Sequence, residues 1–300
     1  MSTVKMLIKR NIKLFFKDKA MFFTSLITPV ILLVLYATFL SDVYTDAFHA
    51  SLAGAIEVSE SLISGCVGGQ LISSILAVSC VTVAFCSNML MVQDKATGAA
   101  RDFKTSPVKS SALAVSYYFA TLASTLIICF VATGICLLYI ASVGWYMSAL
   151  DVILLFADVI LLVLFGTALS SIVNFFLSTQ GQISAVGTIV SSGYGFICGA
   201  YMPISSFGEG LRKALGFFPG TYGTAMLRNH AMRGVLEALK EEGFPDGAID
   251  SIRDGIDCNI YFLGERVASW VPYAVVGGTI VLLLSAYVTV NILRSRKARG

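Results

Sequence analysis

Residues 159 to 208 contain no charged side chain. A helix crossing about 30 Å of hydrocarbon needs only about 20 apolar residues, so this stretch is too long for one crossing. It is also too apolar for a water-exposed loop. The chain must therefore turn back within it, and the polar, glycine-containing run NFFLSTQGQ at 174–182 supplies the hinge. The sequence predicts a membrane hairpin on either side of that hinge. Charged residues make up only 13% of the whole chain, about half the share in a soluble domain.

The same length rule marks six spans, at 21–40, 69–92, 112–141, 152–176, 183–201 and 267–293. Lys and Arg concentrate on the cytoplasmic side of short loops, which orients the set. Lys5, Lys9, Arg10, Lys13, Lys17 and Lys19 precede the first span, and Arg294, Arg296, Lys297 and Arg299 follow the last. Both termini are expected in the cytoplasm of a plasma-membrane protein, as in a bacterial inner membrane. The loop at 41–68 carries Asp42, Asp46, Glu57 and Glu60 without Lys or Arg, as an outside loop should. The long segment before the last span also lies outside, since loops above about 60 residues escape the charge rule. The first apolar run has full spanning length and no small-residue cleavage pattern, so no removable signal peptide is expected. A net charge of +3, gathered at membrane flanks, gives no reason to expect a nucleic-acid partner; the lipid bilayer is the partner it implies.

Within this frame the domains read as an elbow (1–20), spans one to five (21–202), an outer re-entrant segment (203–230), an outer helical cap (231–266), and the last span with a basic tail (267–300). In the elbow, Val4, Leu7, Ile8, Ile12, Phe15 and Phe16 recur at helical spacing while the basic residues take the other face. Such a helix lies in the membrane interface. The residues alone fit a simple basic anchor equally well, but direct entry into Met21 without Gly or Pro favours an elbow. The segment 203–230 is too polar to span and too apolar to hang free, so it should dip into the outer leaflet. The cap reads as two short polar helices broken at Gly243-Phe244-Pro245.

The loop at 93–109, QDKATGAARDFKTSPVK, is a charged island between two spans. It is larger than a tight turn needs. Asp94, Lys95, Arg101, Asp102, Lys104 and Lys109 fit one or two helical turns that stop at Ser106-Pro107, a compact element for docking to a cytoplasmic partner. In the fifth span Gly187, Ser191, Gly195 and Gly199 form a small-residue stripe. Intrachain packing, a dimer seam and a translocation path all fit it. Pro29 and Pro272 are positioned to kink their spans. Asp158 is the one acid committed to the membrane, either a substrate-path or proton-linked group or a structural carboxyl bonded to hydroxyls. No second buried charge is legible as its relay partner, because both histidines, His49 and His230, are placed outside. Asp151 is expected at the outer interface. Five cysteines fall in spans as small buried residues. Cys66 and Cys258 both fall outside, where a disulfide is conceivable.

No G-x-x-x-x-G-K-[ST] phosphate loop is present, so ATP is not bound by that route. No H-E-x-x-H or G-x-S-x-G motif and no metal-ligand spacing occurs either, so the sequence offers no catalytic residues and no metal site.

These residues together resemble the type 2 permeases of ABC transporters, the drug, peptide and polysaccharide exporter class. The resemblance rests on VKMLIKRNIKLFFKDKAMFF leading into span one, on Asp94, Gly98 and Ser106-Pro107 after span two, and on Gly199 to Pro203 ending span five. Pro219-Gly220-Thr221-Tyr222 and Leu227-Arg228 complete it. It implies an all-α membrane protein with six spans behind an interfacial helix, and a pair of permeases, as a homodimer or two chains, joined to two separate ATPase subunits that carry ATP and Mg. By the same resemblance Asp94, Gly98, Arg101, Asp102, Phe103, Lys104 and Pro107 form the coupling helix seated in the ATPase. Spans two and five would line the path, with Asp158, Ser191, Gly195 and Gly199 as candidate path residues. The implied function is ATP-driven export, by alternating access, of a hydrophobic or amphiphilic drug, peptide or lipid-like cargo. Two other classes remain, a secondary transporter that needs no ATPase and a membrane sensor subunit, although no internal repeat of the kind common in secondary transporters is found. Two features depart from the family pattern: a longer segment at 231–266, and Asp94 where many relatives carry Glu.

Overall fold

The computed structural model describes residues 3–36, 38, 42, 45, 59–99, 102–103 and 108–297. The fold is a bundle of helices wrapped round one almost fully enclosed helix. Helix α1 (Thr3–Lys17) buries Leu7, Asn11 and Phe15, one residue per turn, and exposes Lys5, Lys9, Lys13 and Lys17. Asp18 then accepts a hydrogen bond from the Met21 backbone at 3.1 Å, capping α2 (Lys19–Leu35). The chain bends by 73° between the two helices.

The enclosed helix is α3 (Glu60–Ser87), which continues past Asn88 as α4 (Met89–Ala96). In this run 89% of the most apolar window is buried, against 17% for the last span. Helix α3 begins nine residues before the position expected from hydropathy, and residues 60–68 are helix rather than outer loop. Glycine explains the difference. A Cβ on Gly65 would lie 2.7 Å from the Tyr146 ring, and one on Gly69 would lie 2.9 Å from the Ala231 carbonyl oxygen. These residues lower hydropathy, yet they let neighbouring backbones approach and so extend the packed helix. At the α3–α4 junction the Asn88 side chain donates to Ser170 and Ser171, both at 3.1 Å.

Helix α5 (Ser110–Val143) and helix α6 (Ala149–Phe176) pack on α3 and on each other. A capping box of Ser148 with Asp151 starts α6. The chain turns within the expected hinge: α6 ends at Phe176, and Thr179 with Gln182 forms a second capping box that starts α7 (Gln180–Ile197), which packs on α3 and α4 rather than on α6. Among the described residues four runs are long and apolar enough to cross a membrane: α3 with α4, α5, α6, and the last helix; the bent α1–α2 pair makes a fifth if it is one span. Helix α7, the fifth of the six expected spans, does not reach that apolarity, because Gln180, Gln182, Ser184, Thr188, Ser191 and Ser192 occupy a third of its 18 residues.

After a short 3-10 turn (Ile204–Ser206) come α8 (Glu209–Leu215) and α9 (Pro219–Glu241), then α10 (Asp246–Gly255). A hairpin of β1 (Tyr261–Phe262) and β2 (Glu265–Arg266) leads into α11 (Val271–Lys297). Helix α9 runs without a break through residues 230 and 231, where the sequence reading places the boundary between re-entrant segment and cap. In its first half every residue from Gly220 to Arg228 is buried, against α3, α6 and α11. A Cβ on Gly223 would lie 2.3 Å from Leu162, and one on Gly234 would lie 1.9 Å from the Tyr146 carbonyl oxygen. The expected break at Gly243-Phe244-Pro245 does separate α9 from α10.

Candidate functional site

Two charged constellations stand at opposite ends of α3. At the α1 end, Asp94 is buried, and its carboxylate accepts from Arg10 Nη1 at 2.7 Å, Arg10 Nη2 at 3.2 Å and Tyr117 Oη at 2.5 Å. The Arg10 guanidinium also lies 5.0 Å from the centre of the Phe103 ring. One arginine on the interfacial helix is thus held both to the end of α4 and to the loop beyond it. Hydrogen bonding to Asp94 raises the Arg10 guanidinium above its already high ordinary pKa. Next to it, Lys95 Nζ donates to the carbonyl oxygens of Asn174, Phe175 and Leu177 at 3.0, 2.8 and 3.0 Å. It closes the C-terminus of α6, where unsatisfied carbonyls favour a cation.

Of the coupling set expected from sequence, Asp94 is buried and fastens α1, α4 and α5 together within the chain. Gly98 holds a φ of +90°, the left-handed position in which glycine closes a helix without strain, just beyond α4. Asp102 is exposed and Phe103 half-buried. Arg101, Lys104 and Pro107 lie outside the described residues.

At the far end, α6 and α9 meet through paired charges. The Asp158 carboxylate lies 2.5 Å from His230 Nδ1, and Tyr273 Oη lies 3.4 Å from His230 Nε2. Seven residues earlier on α6, Asp151 is buried and lies 2.6 Å from Arg233 Nε, a charge contact without hydrogen-bond alignment. Arg228 is fully buried and donates to the carbonyl oxygens of Ile256 at 2.5 Å and Gly199 at 3.0 Å, and to Ser74 at 3.2 Å. Its neighbour Asp257, 3.8 Å away, accepts from the backbones of Ile204 and Ser205. Burial pushes the Asp257 carboxyl up and the Cys258 thiol up to about 12.

Asp158 therefore has a half-buried partner in His230, and Asp151 is a buried, paired group. His230 ends the expected outer re-entrant segment; in the continuous α9 it faces α6. The signal was present as pattern, with Asp151 and Asp158 at i,i+7 on one helix and His230 and Arg233 at i,i+3 on the other.

The four candidate path residues do not converge. Gly195 packs beneath Tyr201, whose ring would stand 2.4 Å from an added Cβ. Gly199 takes a φ of +73° and gives its carbonyl to Arg228. Ser191, with Gly187, instead lines a cavity of about 660 Å³ between α2, the α3–α4 junction and α7, where Thr24, Gln93 and Ser184 add polar groups. Helix α3 itself is enclosed by its own chain. Cys66 and Cys258 are both buried free thiols.

The bundle and its two charged ends define a multi-pass helical membrane protein. The chain belongs to the ABC-2 type transporter family, whose model matches residues 2–231. It is therefore an ABC permease, a transport subunit of the kind that works with an ABC ATPase. The match stops inside α9 and leaves out α10, the hairpin and α11. Comparisons with curated proteins and with solved structures find no match.

Proposed function

We propose that this permease carries hydrophobic or amphiphilic cargo out of the cell, driven by ATP bound with Mg on a separate ATPase subunit. Residues 93–109 dock in the ATPase, with Gly98, Arg101, Asp102, Phe103, Lys104 and Pro107 at the contact and Asp94 holding the loop from behind. The observation that carries this reading is the grip of Arg10 on both Asp94 and Phe103. A push on the loop is passed directly to the interfacial helix and to the α3–α4 span, as a rigid element requires. Both termini then face the cytoplasm across the plasma membrane. Two copies pair, and the partly polar cavity lined by Ser191 and Gly187 lies on the cargo route. Its mix of hydroxyl, amide and apolar groups suits an amphiphile.

The paired Asp158 and His230 favour one second reading, a proton-coupled carrier. Everted vesicles containing the permease and its ATPase separate the two. ATP-dependent uptake of an amphiphilic dye, unchanged by collapse of the proton gradient, is the expected result. Uptake that follows the gradient without ATP and is lost in Asp158→Asn would overturn it in favour of the carrier.

A further inference from the structure

A cavity of about 810 Å³ opens between α9, α10 and the start of α11, at the end of the bundle away from α1. Its walls hold Arg233, Arg253, Arg266 and His230 against one acid, Glu237. Three of these basic side chains already lie against carboxylates. Arg233 meets Asp151 and His230 meets Asp158, while Arg266 stands a loose 3.7 Å from Asp250. Arg253 differs. Its Nη2 donates to the neutral Asn229 amide oxygen at 2.9 Å, its Nε is buried with no acceptor, and it has no carboxylate partner among the described residues.

A half-buried guanidinium that lines a cavity and has no carboxylate partner is suited to take an anion through charge-assisted hydrogen bonds. The geometry points to an anion site, and the surroundings specify what carries the anion. Trp270 is 68% exposed and Tyr273 41% exposed, and both line the cavity just where α11 enters the membrane. Aromatic residues of this kind sit at the headgroup level of a bilayer. Beyond them α11 exposes Val281 and Leu282, so an apolar surface continues from the mouth of the cavity into the acyl region.

We infer that this cavity binds the anionic headgroup of a membrane amphiphile, a phosphate or carboxylate bearing acyl chains, with Arg253 as the principal ligand and Arg266 as the second. The chains lie along α11 past Trp270. Glu237 at the rim disfavours a second negative charge, so a singly charged headgroup suits the site better than a phosphomonoester. The site requires neither ATP nor any direction of transport, and its failure would leave the permease reading untouched.

The test uses the full chain in zwitterionic detergent with Trp145→Phe, which leaves Trp270 as the sole tryptophan. Phosphatidylglycerol with brominated acyl chains should quench Trp270 saturably, and phosphatidylcholine with the same chains should bind about tenfold more weakly. Arg253→Gln should lower phosphatidylglycerol affinity about tenfold, the worth of one charge-assisted contact. Arg253→Lys should retain most of the affinity, and Lys240→Gln, outside the cavity, should retain all of it. If Arg253→Gln does not elute as a folded species, Arg266→Gln takes its place with a smaller expected loss. Equal binding of the two lipids, or full affinity in the glutamine variant, would overturn the site. Displacement of the lipid by inorganic phosphate at matched concentration would overturn the amphiphile assignment.

Discussion

The Arg10–Asp94 pair offers a measurable consequence, since a double-mutant cycle isolates it from its surroundings. Removing one member of a fully buried ion pair costs about 3–5 kcal/mol. Here the Asp94 side chain is 8% exposed but Arg10 is 31% exposed, so solvent screens part of the loss. Two hydrogen bonds from the guanidinium remain at stake, and a coupling energy of about 2 kcal/mol follows after that discount. The cycle comprises Arg10→Gln, Asp94→Asn and the double variant, read by thermal unfolding in one detergent. Each single change should lower the midpoint by several degrees, and the double variant should lose clearly less than the sum of the two. Additive shifts would refute the reasoning, because they would mean that the two groups stabilise the protein independently.

Tyr117→Phe keeps the ring and removes one donor to Asp94, so it should cost about 1 kcal/mol, read as a smaller fall in the same unfolding midpoint. Gly69→Leu and Gly234→Val should prevent correct packing of α9 on α3 and on the loop before α6, seen as aggregation in size-exclusion chromatography; a normal elution profile would contradict the close approaches. The Cys258 thiol, buried and protonated until about pH 12, should resist maleimide at pH 8 in the folded protein and react only after denaturation, followed by mass shift. Gly195→Leu must displace the Tyr201 ring, so it should lower thermal stability as well as transport; a fully stable variant with blocked transport would restore Gly195 to the cargo route.

The turn at 174–182, the amphipathic helix α1 and the break at 243–245 were legible because each is encoded locally, in hinge residues, amphipathic period and turn chemistry. The early start of α3 and the burial of α9 were not. Both depend on glycines that lower hydropathy yet create contact, and only the opposing surfaces of Tyr146, Ala231 and Leu162 reveal which role prevails. The loop at 93–109 was legible as a charged island, but charge alone does not say which residues face outward. Asp94 reads as one more surface acid until Arg10, 84 positions earlier, is placed beside it. The same holds for Asp158 and His230, whose pairing needs two helices distant in sequence.

In the proposed function residues 93–109 dock a separate ATPase, with Arg10 and Asp94 holding the loop. Co-purification of the tagged permease with the ABC ATPase, comparing wild type with an Arg101→Glu, Lys104→Glu double reversal, examines that contact itself. Wild type should retain the ATPase in mild detergent, and the reversal should release it while remaining folded. Equal retention by both proteins, or none by wild type in several mild detergents, would contradict it.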